Sequence, residues 1–127
     1  MINIVDNDQS IREGYQMVLK SAGFDCSCFE SAEEFLNNLQ GGETDLLLLD
    51  IHLQGMNGFT LLENLKNRGS HLPVIIITSF DEHEKRKLAK SYGVLAYLQK
   101  PIDSAALIDI IKYNVDIQKL NKRSLYS

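Results

Sequence analysis

The stretch Leu46-Leu47-Leu48-Leu49-Asp50 places four apolar side chains in a row and stops on a carboxylate. Side chains alternate between the two faces of a strand, so four consecutive leucines predict a strand covered on both faces. That is the position of a central strand in a parallel sheet between two helical layers. Val74-Ile75-Ile76-Ile77 has the same character and runs into Thr78-Ser79. At the amino end, Ile2-Asn3-Ile4-Val5 runs into Asp6-Asn7-Asp8. Residues Phe24 to Phe29 alternate apolar and polar, as an edge strand does, and Val94 to Leu98 make a fifth run.

Helical patterns fill the gaps. Residues 9–22 carry Ile11, Tyr15, Val18 and Leu19 on one face, with Gly23 placed to close the helix and Asp8 to cap its start. Ser31 and Glu34 predict a capping box ahead of Phe35, Leu36 and Leu39. Residues 58–67 carry Phe59, Leu62 and Leu65, and Asp81 with Glu84 predicts a second capping box for a helix ending near Gly93. Asp103, after Pro101, can cap a last helix striped by Ile108, Ile111 and Val115. This alternation with short loops predicts an α/β fold: a five-stranded, doubly wound parallel sheet, of which 2-1-3-4-5 is the common order.

A length of 127 residues suits a single domain. At that size roughly two thirds of the unfolded surface can be buried, so a core forms without cross-links. Apolar residues at 44% and charged ones at 24% exclude a disordered or fibrous chain. Thirteen basic against seventeen acidic residues leave a net charge of −4, which argues against this domain gripping a nucleic-acid backbone directly. Cys26 and Cys28 share one strand face and are too close in sequence for a good bridge, and two cysteines do not make a zinc site; they read as reduced packing residues of a reducing compartment. Met1 leads straight into Ile2 with no signal peptide, and no apolar run nears the roughly 20 residues of a membrane span, so the expectation is a cytoplasmic protein without membrane contact.

In a sheet of that order, ligands sit at the carboxyl ends of the strands near the switch point. The strand-end residues Asp6, Asp50, Thr78 and Lys100 therefore converge on one rim. Asp6 and Asp50 suit a hard cation such as Mg²⁺, which takes oxygen ligands. A cation and a lysine together neutralise the oxygens of a phosphoryl group, Thr78 can donate a further contact, and a carboxylate beside the metal can be the acceptor.

On Val5-Asp6-Asn7-Asp8, Leu49-Asp50, Gly55-Met56-Asn57-Gly58, Ile77-Thr78-Ser79 and Lys100-Pro101, the chain resembles the receiver domain of two-component response regulators. The likeness spans about residues 2–120, which suggests a receiver at 1–120 followed by a tail or the start of a linker at 121–127. It implies that Asp50 accepts a phosphoryl group from a sensor histidine kinase or phosphotransfer protein. It implies that Asp6, Asp50 and the backbone carbonyl of His52 hold Mg²⁺, and that Lys100 and Thr78 bind the phosphoryl oxygens. Tyr97 would be the aromatic switch that turns inward behind Thr78, and Pro101 would follow a cis peptide bond. His52 and Phe80 would line the pocket rim, with Phe80 slowing the approach of water. In this family the face made by the fourth helix, fifth strand and fifth helix is a common surface for output or dimerisation.

Two positions depart from the family pattern. Asn7 replaces the second of two adjacent acids; it can still ligate Mg²⁺ through its amide oxygen, but weaker binding is expected. Gln54 stands where proline is frequent and should loosen the loop after Asp50. The run Lys85, Arg86, Lys87 and Lys90 reads as a solvated face unless that face is the output surface. The last helical pattern continues through Ile117 and Leu120, beyond what burial requires, and could support a dimer or lead into an output domain. Rival readings remain. Asp6-Asn7-Asp8-Gln9-Ser10 also resembles the first motif of haloacid-dehalogenase-type phosphatases, with Asp6 as nucleophile and Asp8 as acid/base. That fold needs more acids after the lysine than Asp103, Asp109 and Asp116, and leaves Asp50 without a role. Asn7 raises a second alternative, a non-phosphorylatable pseudo-receiver that only binds partners. A flavin-binding module shares the topology, but no phosphate-cradling loop follows the first strand.

Overall fold

The computed structural model describes residues 1–39 and 46–126, with only the backbone described for 118–126. Its elements are β1 (Ile2–Val5), α1 (Gln9–Ser21), β2 (Cys26–Phe29), α2 (Ala32–Asn37), β3 (Leu46–Leu49), α3 (Gly58–Asn67), β4 (Val74–Thr78), α4 (His83–Ser91), β5 (Ala96–Gln99) and α5 (Ser104–Tyr126). The sheet is parallel throughout, in the order β2-β1-β3-β4-β5. Every residue of β1, β3 and β4 is buried, as expected for strands with helices on both faces.

The alternation of side chains splits the core in two. On one face Val5, Leu47, Leu49 and Ile76 pack with Phe35, Leu61, Leu65 and Ala89 from α2, α3 and α4. On the other, Ile4, Leu46, Leu48 and Ile77 pack with Leu19, Leu107 and Ile111 from α1 and α5. Cys26 and Cys28 are free thiols packed against this second layer, and burial pushes both pKa values up, so they behave as small apolar residues. Among the described residues, no helix is long and apolar enough to cross a membrane.

The structure corrects several local expectations. β2 begins at Cys26 rather than Phe24, because the Phe24 N–H donates to the Leu19 carbonyl and closes α1. β5 begins at Ala96 rather than Val94 and reaches Gln99; the preceding Leu95 is an exposed residue whose N–H bonds the Val74 carbonyl. Asp81 does not cap α4. Its carboxylate holds Arg86 at 2.9 and 3.1 Å, and the cap position falls to Glu82, which makes no side-chain capping bond. At α2, Ser31 caps Glu34 N–H at 3.1 Å, but Glu34 reaches the N–H of Glu30 rather than that of Ser31. Asp8 and Asp103 cap α1 and α5. α5 runs to Tyr126, while the side chain of Leu120 and all of Ser127 lie outside the described residues.

Candidate functional site

Strands β1, β3 and β4 end beside one another on polar residues, and Lys100, just past the end of β5, closes the set. Asp6 follows β1. Its Oδ1 accepts from Asp8 N–H at 2.9 Å, and its main-chain carbonyl accepts from Arg12 Nη1 at 2.7 Å. Asp50 follows β3, and its Oδ1 accepts from His52 N–H at 2.9 Å. Each carboxylate is thus fixed by a turn of its own backbone, and each keeps Oδ2 for Lys100, whose Nζ lies 2.8 Å from Asp6 and 3.1 Å from Asp50. Burial works against the lysine's charge. The hydrogen bond to Asp6 and the charges of both acids outweigh it, so the Lys100 pKa lies above the ordinary lysine value.

Lys100 is placed by its backbone as well as its side chain, since its N–H donates to the Thr78 carbonyl at 2.7 Å. Thr78 is fully buried, and its Oγ1 accepts from Phe80 N–H at 3.3 Å. The Lys100–Pro101 peptide bond is cis. Phe80 is 61% exposed, and its ring meets that of His52 edge-on with centroids 5.4 Å apart. Among the described residues, the buried Nε2 of His52 has no hydrogen-bond partner. The Tyr97 ring is buried, its hydroxyl 3.5 Å from the Phe80 carbonyl, with the Arg86 guanidinium 4.9 Å from the ring centroid. Arg86 is therefore engaged by Asp81 and Tyr97 together, although the basic run around it reads as a solvated face.

Asp8 turns away from the acid pair. Its Oδ1 takes Ser10 N–H and Oγ at 2.9 and 3.0 Å and Ile11 N–H at 3.4 Å, and these bonds, that of Ser10 first, hold its carboxyl below the usual range. Asn7 is exposed and borders an open recess of about 240 Å³ shared with Glu30, Ser31 and Gln54. Among the described residues no three His, Cys, Asp or Glu side chains form a metal cluster. The donor chemistry nevertheless fits a hard cation that keeps much of its water: two fixed carboxylates, oxygen donors without sulfur.

One neighbour of the acids escaped the sequence reading. Tyr15 of α1 lines a small crevice with Asp6, Leu48, Asp50 and Ile77. Burial, with the Asp6 and Asp50 charges adding and Lys100 opposing, pushes its phenol up to about 12. Its membership of the apolar face of α1 was legible in the helical period; its height, level with the acids, depends on how the helix lies on the sheet.

A doubly wound parallel sheet with an acid pair, a bridging lysine and a buried hydroxyl on its carboxyl rim defines an α/β domain with a polar site at its switch point. The chain belongs to the response regulator receiver domain family, whose model matches residues 2–112. It is 41% identical over 109 residues to the DNA-binding transcriptional regulator NtrC of Klebsiella pneumoniae, covering 84% of this chain and 23% of that protein. It is 29% identical over 111 residues to the transcriptional regulatory protein FixJ of Azorhizobium caulinodans, covering 87% of this chain and 53% of the relative. The chain thus spans about a quarter to a half of the length of these curated relatives. Among solved structures, a CheY-like receiver domain protein from Methanospirillum hungatei JF-1 superposes with a TM-score of 0.86 at 30% identity, covering 94% of this chain and 96% of that one. Residues 2–112 thus form a receiver domain of response regulators, and this similarity lends nothing to the phosphatase or pseudo-receiver readings.

Proposed function

We propose that Asp50 is the phosphoacceptor and that Asp6, Lys100 and Thr78 form its machinery. The observation that carries this reading is Lys100, which bonds both buried acids and so places a fixed positive charge where phosphoryl oxygens would arrive. In the proposed reaction an Asp50 oxygen bonds the phosphorus of a phosphohistidine on a sensor histidine kinase or phosphotransfer protein. The P–N bond breaks, its electron pair leaves with the imidazole, and an acyl phosphate remains on Asp50. Lys100 exchanges its bond to the Asp50 carboxylate for one to a phosphoryl oxygen, and the Thr78 hydroxyl can turn from Phe80 N–H to donate to another. Asp6, Asp50 and the His52 carbonyl would hold Mg²⁺, with Asn7 a weakened further ligand; when bound, the ion neutralises charge on the phosphoryl oxygens. Hydrolysis of the acyl phosphate by water would be slow and self-catalysed. The chain would act in the cytoplasm.

The proposed readout is a shift between conformations at the face of α4, β5 and α5, where Leu88, Leu95 and Tyr113 are exposed. That face would meet an output partner, an attached domain or a second copy.

The test is intact mass after incubation with a small phosphodonor over a Mg²⁺ series. A single acid-labile adduct is expected, dependent on Mg²⁺ and absent from Asp50→Asn. Asn7→Asp should reach half-maximal labelling at lower Mg²⁺. No adduct on a folded, Mg²⁺-saturated chain would overturn the acceptor reading, and an unchanged midpoint in Asn7→Asp would remove the weakened-ligand role. Sedimentation of the labelled chain tests the dimer, which a monomer in both states would exclude.

A further inference from the structure

The loop after Asp50 presents the candidate ligand His52; Ile51 is buried and Leu53 and Met56 pack against the core, but these apolar contacts leave its main-chain polar groups to be held by other means. Residues 51–57 contain no proline and form no helix or strand. Its two ends are held: His52 N–H bonds Asp50 Oδ1 at 2.9 Å, and Gly58 N–H bonds the Ile51 carbonyl at 3.1 Å. Between them the chain arches through Gly55, at φ 75°. At the crest, Met56 N–H donates to Glu33 Oε1 at 2.7 Å, a charge-assisted bond to a residue 23 positions earlier, in the first turn of α2. The carboxylate lies against Gly55 so closely that an added Cβ would come within 3.0 Å of Oε2 and 3.4 Å of Oε1. Glycine at 55 therefore serves both the positive φ and the approach of Glu33.

We infer that Glu33 is a positioning residue for the phosphorylation site: by anchoring Met56 N–H it holds the loop after β3 in the arrangement that presents the His52 backbone to the cation. This rests on the reading of Asp50 and Asp6 as the acceptor and metal site. Without the anchor the loop populates other conformers, and apparent Mg²⁺ affinity falls in proportion to the fraction still arranged for binding. A charge acting at a distance would also favour a cation, but it would not depend on the bond to Met56.

Glu33→Gln and Glu33→Ala separate the two, because the glutamine amide oxygen can still accept from Met56 N–H while carrying no charge. Three quantities are read on the full chain: Met56 amide exchange without metal, Mg²⁺ affinity by calorimetry, and the rate of phosphoryl uptake from a small donor. In Glu33→Ala, Met56 exchange should quicken on the order of tenfold and Mg²⁺ binding weaken about three- to tenfold, while Glu33→Gln stays within about twofold of the native chain. Unchanged exchange and affinity in Glu33→Ala would overturn the inference. So would a Glu33→Gln as weak as Glu33→Ala, which would assign the effect to charge alone. Native chain that binds Mg²⁺ but takes up no phosphoryl group would defeat the acceptor reading, while exchange and calorimetry would still decide the role of Glu33. Native chain that binds no Mg²⁺ would defeat the positioning role itself.

Discussion

Lys100 bonds two buried carboxylates, 2.8 Å from Asp6 and 3.1 Å from Asp50, and its own side chain is largely shielded from water. Removing one member of such a set strands the rest: two negative charges would face each other in a low dielectric with no compensating cation. Lys100→Met keeps most of the stem's volume and should lower stability by about 3 kcal/mol at neutral pH, with Mg²⁺ restoring part of the loss. Urea unfolding with and without Mg²⁺ checks this; an unchanged midpoint would mean the acids need no counter-charge. The proposed role of Phe80 belongs to the same scale but concerns water: its exposed ring stands edge-on to His52, two residues past Asp50. Phe80→Ala should speed loss of phosphate from labelled protein several-fold, and an unaltered decay would refute the shielding role. These residues were legible because each terminates or follows an apolar run, and strand ends in a parallel sheet share a rim. Tyr15, Arg86 and Glu33 were not, because their partners lie on other elements. Helical period gives the face a side chain occupies; it does not give the residue it meets after the helix docks.

Elements showed the same division. Of the three central strands, β3 and β4 announced themselves as continuous apolar runs and β1 as a run broken only by Asn3, and helix starts were readable where Asp8, Ser31 and Asp103 could take a backbone N–H without competition. Asp81 failed as a cap because Arg86 offered it two charge-assisted bonds, which outweigh a capping bond to a neutral amide. The edge of β5 failed for a different reason: Val94 is apolar because it packs on the core, not because it pairs in the ladder. The start of α3 illustrates a packing constraint on an element as a whole. Gly58 opens the helix with its Cα pressed against the chain leaving Asp50; a Cβ would fall 2.6 Å from Ile51 Cα, on backbone that cannot yield. Gly58→Ala should therefore destabilise by about 1–3 kcal/mol despite alanine's better helix propensity. Denaturant unfolding gives the sign: a gain would show that the loop moves aside at little cost.

Across the whole molecule, the sheet order places the acids of β1 and β3 next to the hydroxyl of β4, and β4 next to the strand that bears Tyr97. A proposed route from Asp50 to the far face is therefore short and can be followed contact by contact. Lys100 hangs from the Thr78 carbonyl, Phe80 N–H rests on Thr78 Oγ1, and the Phe80 carbonyl receives the Tyr97 hydroxyl, whose ring lies under Arg86 of α4. A phosphoryl group that captured the Thr78 hydroxyl would release Phe80 N–H, alter the segment that Tyr97 and Asp81 hold, and bias α4. Thr78→Val tests the chain at its first link, since it keeps the buried shape and removes only the hydroxyl, at a stability cost of about 1 kcal/mol. The variant should still take up a phosphoryl group, because Asp6, Asp50 and Lys100 are untouched. Its Tyr97 ring resonances should then stay near their unphosphorylated positions, whereas those of the native chain move. Equal movement in both would show that the signal leaves Asp50 by another path, with Lys100 and its bond to the Thr78 backbone the next place to look.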